Sequence, residues 1–125
     1  MKRDMDLIRD ILLAVENHPY SCAPFEVQVA SHTPAEIGYH VMLLHQAGFL
    51  EAASTQAISD TDASCWKPIS LTWEGHEFLE AARSSENWVK VKQIIVEKGS
   101  GLVLEVVKTL LVEVSKRAAL SALTG

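Results

Sequence analysis

Two pairs of residues in this chain combine chemistry with helical spacing: Glu36 with His40, and His76 with Glu80. Residues four apart share one face of a helix, so each pair could offer a carboxylate and an imidazole to a metal ion or a substrate. The second pair lies in LTWEGHEFLEAAR, residues 71–83, where glutamates, a histidine and a tryptophan crowd together. Neither pair forms the tight HExxH cluster, and a third ligand would have to come from elsewhere. There is no Gly-rich phosphate loop, and no Ser or Cys stands in a nucleophile motif. The expectation is therefore no enzyme, no metal and no cofactor. In residues 71–83, Gly75, Phe78, Leu79 and Ala82 follow the spacing of a buried stripe, Gly75 allowing a neighbouring backbone to approach closely. His76, Glu80 and Arg83 fall on a solvent face, and Thr72 is placed to cap the helix.

The elements that would position these residues can be read along the chain. Met5, Ile8, Leu12 and Val15 recur at helical spacing, and Pro19 and Pro24 end that first helix. FEVQVA, residues 25–30, alternates apolar and polar residues, which predicts a short strand. Thr33 as N-cap, Pro34 at the first helical position and Gly48 past the end bound a second helix carrying Ile37, Val41 and Leu44. FLEAAST and CWKPISLTW predict a hairpin with a polar tip, and Pro68 implies that its second strand is an edge or starts after it. Helices follow over residues 72–83, 86–98 and 102–123, with GSG breaking the last two apart.

A length of 125 residues suits one domain with an appendage, and an apolar content of 48% with 22% charged residues suits a packed core. Residues 1–83 hold five Lys or Arg against twelve Asp or Glu, a balance of −7, whereas residues 84–125 hold six against four, a balance of +2. The start, MKRDMDLIRDIL, is too charged for the hydrophobic region of a signal peptide. Cys22 and Cys65 lack zinc-site spacing and read as thiols. The expected compartment is the cytoplasm. Charges at Glu105, Lys108, Glu113, Lys116 and Arg117 exclude the tail helix from a bilayer.

The order of elements resembles a winged helix-turn-helix domain in which TPAEIGYHVMLLHQAGFLEA holds the recognition-helix position and LTWEGHEFL ends the wing. Only Ser31, His32 and Thr33 separate the expected strand from Pro34, so the usual supporting helix is absent or its role falls to another segment. MKRDMDLIR, EIGYHVMLLHQAGFL and LTWEGHEFLEAAR also resemble the domain of unknown function 2513 family of bacteria and phages, over residues 1 to about 91. The resemblance implies a mainly α fold with a small antiparallel β wing: a winged-helix-like domain at residues 1–83, then a C-terminal helical hairpin at 84–125. The family brings no established activity, and the function expected first is a small non-enzymatic regulator of phage or mobile-element type that binds DNA weakly or with help.

The first partner to consider is DNA, with Glu36, Tyr39, His40, His45, Gln46 and Lys67 as contacts. Yet Lys67 is the only Lys or Arg between Phe25 and Trp73, against Glu26, Glu36, Glu51, Asp60 and Asp62, and DNA binders normally neutralise several phosphates. The alternative is a protein-interaction module that docks on a host protein or forms a homodimer. For tail docking or dimerisation the expected residues are Trp88, Val103, Val107, Leu110, Leu111 and Val114, on the apolar arc of the tail.

Overall fold

The computed structural model describes residues 2–20, 22–54 and 65–98, together with Thr109 and Glu113. Its elements are α1 (Met5–Asn17), α2 (Pro34–Gln46), β1 (Leu50–Ser54), β2 (Trp66–Leu71), α3 (Trp73–Ala82) and α4 (Ser85–Lys98). The fold is mainly helical with one small antiparallel sheet. Most of the expected tail helix at 102–123, with Val103, Val107, Leu110, Leu111 and Val114, lies outside the described residues, as does the hairpin tip at 55–64.

Backbone contacts divide the chain into two compact units, Met1–His76 and Glu77–Gly125, the division falling inside α3. In the first unit α1 contributes Leu7, Ile8, Ile11, Leu12 and Val15 to the core, α2 contributes Ile37, Val41 and Leu44, and Phe49 and Leu50 complete it. Each such side chain stabilises the fold by about 1.5–3 kcal/mol when fully buried. The start of α1 is set by Asp4, whose Oδ1 accepts from the Asp6 and Leu7 amides at 3.0 and 3.2 Å. Its end is set at His18, which is extended ahead of Pro19.

Residues 25–30 do not form the expected strand. They are extended and alternate in exposure, with Phe25, Val27 and Val29 half-buried, but what ties their backbone to the sheet is a bond from Phe25 N–H to Pro68 O, 3.1 Å. Alternation reports a half-buried extended segment, and a strand needs a ladder as well. Ser31, at φ 69°, then turns the chain into α2.

β1 and β2 pair Leu50 with Leu71 and Glu51 with Ser70, then Ala52 with Pro68, so Ile69 is the extra residue of a bulge. Pro68 lies inside β2 and not before it. Its carbonyl points away from β1 toward Phe25, and its nitrogen faces the same way, so the missing donor costs the ladder nothing.

In the second unit Phe78, Leu79, Ala81 and Ala82 of α3 and Trp88 and Val91 of α4 are buried. The Phe78 and Trp88 rings meet edge to face at 6.4 Å. Ser84 starts α4 by accepting the Asn87 amide on its hydroxyl at 3.3 Å.

Candidate interaction surface

The candidate residues cluster on α2, whose N-terminus is held by a full capping box. Thr33 Oγ1 accepts the Glu36 amide at 3.1 Å, and Glu36 Oε1 accepts from Thr33 N–H and Oγ1–H at 3.4 and 3.2 Å. The other carboxylate oxygen, Oε2, accepts from His32 Nδ1 at 3.1 Å. The His32 contact, followed by the Thr33 bonds, holds the Glu36 carboxyl below its ordinary pKa. Glu36 is thus spent on its own helix terminus, and it points away from His40.

His40 is 1% exposed. Its Nδ1–H donates to Glu36 O at 2.7 Å, and its Nε2 accepts the Asp4 amide at 2.8 Å. Because Nε2 must carry the lone pair, the ring is neutral and fixed in the Nδ1–H tautomer. It is a tie between α1 and α2, so the expectation of a partner contact at His40 is corrected: burial and its two hydrogen bonds remove it from any surface. Its place beside Ile37, Val41 and Leu44 on the buried stripe was the signal for this.

At the other end of α2, Gly48 N–H returns to His45 O and Phe49 N–H to Leu44 O, a Schellman closure that needs the positive φ of Gly48, 84°. His45 Nδ1–H donates to Leu50 O at 3.2 Å, and its ring lies 5.6 Å from that of Trp66. The hairpin then returns to the same turn. Thr72 Oγ1–H donates to Gly48 O at 2.6 Å while accepting the Gly75 amide at 3.1 Å, and Thr72 N–H donates to Phe49 O at 3.2 Å. Gly75 packs so tightly on Phe49 O that a Cβ there would overlap it. The expected close approach at Gly75 is therefore seen, and Phe49 is the neighbour.

Lys67 Nζ lies 3.5 Å from Glu26 Oε1. The two flank a shallow recess of about 70 Å³ between the 25–29 segment, α2 and β2, which Gln28, Ile37, Gly38 and Trp66 also line. Tyr39 is half-buried with its ring edge-on to His40, and Gln46 is exposed at the last turn of α2. On α3, Glu80 pairs with Arg83 at 3.2 Å. Among the described residues no three His, Cys, Asp or Glu side chains gather to hold a metal ion. No helix among them is long and apolar enough to cross a membrane.

A family model described as "Hypothetical protein (DUF2513)" matches residues 2–101. The chain belongs to the DUF2513 family. It is also 32% identical over 109 residues to an "Uncharacterized protein" of Haemophilus influenzae, covering 86% of this chain and 90% of the relative. No solved structure matches the chain. The three stretches that carry the DUF2513 resemblance are the ones the backbone ties together. The opening stretch brings Asp4 to His40 of the central one, and the turn at Gly48 and Phe49 receives Thr72 and Gly75 of the last. In this DUF2513 chain those motifs specify junctions.

Sequence reasoning missed a second group of residues. Tyr20 and Trp73 are 85% and 76% exposed. Glu16, His18, Tyr20, Ser70 and His76 line one groove with Val15 and Leu71. In the sequence His76 stands out only as a partner of Glu80, and it is the packing of α1 on β2 that brings Glu16, His18 and Tyr20 to Ser70 and His76.

Proposed function

We propose that this chain is a small non-enzymatic regulator, of phage or mobile-element type, that works by docking on a protein. The observation that carries this reading is the outward side of α2. Opposite the buried Ile37, Val41 and Leu44 lie half-buried Ala35, Tyr39, Met42 and Leu43 and exposed Gln46, with no Lys or Arg. An aromatic and methionine face depleted in charge is the composition of a protein interface core. Phosphate neutralisation, by contrast, needs cations.

The order α1, extended segment, α2, hairpin supports a winged-helix-like layout, with the bond from Phe25 to Pro68 standing where a third strand would pair. That layout, with exposed Lys2 and Arg3, favours DNA binding as the second reading. A photo-crosslinking residue at Tyr39, with exposed Glu51 as control, tests the choice in cells. A discrete protein adduct from position 39 alone is the expected result. A nucleic-acid adduct, or duplex binding that falls steeply with salt, moves the assignment to the second reading.

A further inference from the structure

On the first unit, a groove of about 380 Å³ runs between the end of α1, the end of β2 and the start of α3. That volume falls within the range of ligand-binding clefts. Its polar lining is rich in hydrogen-bond acceptors. Glu16 brings a carboxylate and Ser70 a hydroxyl. The His18 ring is stacked on Phe25 at 3.5 Å and donates from Nδ1 to Pro19 O at 2.8 Å, so in the neutral ring Nε2 carries the acceptor lone pair. Tyr20, 85% exposed, brings an aromatic face at the groove wall. Its hydroxyl is held 3.5 Å from Cys22 Sγ. Trp73, at the start of α3, is 76% exposed.

Acceptors, a carboxylate and the exposed Tyr20 ring in one cleft suit a planar cation with several donors, and a guanidinium has five in a fixed fork. The charge of the unit agrees. Residues 1–76 hold four Lys or Arg against ten Asp or Glu, a balance of −6. We infer that this groove is a docking site for an arginine-bearing basic segment of a partner protein, the Arg side chain lying against Tyr20 with its guanidinium at Glu16. The inference rests on the protein-docking reading and concerns a different surface from the outward side of α2.

The test is an amide chemical-shift titration of the full chain with a tetra-arginine peptide, and with tetra-lysine as comparison. Saturable shifts centred on Glu16, His18, Tyr20, Ser70 and His76, with tetra-arginine bound more tightly than tetra-lysine, are expected. Glu16→Gln should weaken binding by up to about fivefold, and Tyr20→Ala by a few-fold (about two- to fivefold), with the remaining spectrum unchanged. Shifts spread over the whole acidic surface, or equal weakening by Glu51→Gln, would overturn the proposal, as would the absence of saturation. These outcomes leave the Tyr39 crosslink untouched, so failure here and failure of the docking reading are separate results.

Discussion

At the scale of single residues, His40 and Glu36 behave as structural groups placed where a reader looks for contacts. His40→Leu fills the site with an apolar side chain of similar bulk but leaves the Asp4 amide without its acceptor. An unsatisfied buried donor costs about 1–3 kcal/mol, and urea unfolding should show a loss of that size. Asp4→Ala removes the cap that His40 holds in place, at about 1 kcal/mol. Glu36 makes a pH-dependent contribution. Its folded pKa lies below the ordinary 4.5, so its stabilisation is present above that value and is lost as pH falls through the lower folded one. Wild type should therefore exceed Glu36→Gln in thermal stability at neutral pH, the gap closing on acidification below 4.5. The capping box at Thr33 and Glu36 was legible because its spacing is local. The tie from Asp4 to His40 was not, since it joins residues 36 apart that only the packing of α1 on α2 brings together.

At the scale of elements, two glycines separate two physical reasons for the same residue type. Gly48 has a positive φ and open space around its Cβ position, so Gly48→Ala meets only the left-handed backbone penalty, about 1–2 kcal/mol. Gly75 has ordinary helical backbone but Phe49 O in the way, so Gly75→Ala must push α3 from the turn after α2. Overpacking typically costs about 1–3 kcal/mol, and here backbone has to move, so the larger loss is expected at Gly75. Chemical denaturation of the two variants side by side checks the order. Trp88→Ala should cost about 3–5 kcal/mol by emptying a buried aromatic site next to Phe78. The helices α1, α2 and α3 could be anticipated from apolar periodicity, with caps at Thr33 and Thr72 and prolines after α1 marking bounds. Residues 25–30 show where that reasoning stops, because alternation records which side chains are covered and not whether a neighbouring backbone is in register. Ile69 is a similar case, since nothing local in KPISL announces a bulge.

For the whole molecule, the distribution of charge is the property with the widest reach. With Lys67 engaged by Glu26 and no other Lys or Arg between residues 25 and 73, the stretch from α2 through the hairpin has little with which to release counterions from a duplex. Anisotropy titration with random-sequence duplex at low salt, about 50 mM, should show no binding. This much was visible in composition. The groove of Glu16, His18, Tyr20, Ser70 and His76 was not, because it is assembled from three elements with no shared motif. The placement of Pro68 has a consequence at the same scale. An exposed strand edge is a template on which another chain can grow a ladder. At this point the outer margin of β2 offers neither half of that template: Pro68 has no amide hydrogen, and its carbonyl is already taken by Phe25. A partner meeting the hairpin from that side must therefore bind through side chains, and the small sheet is protected there against runaway self-pairing.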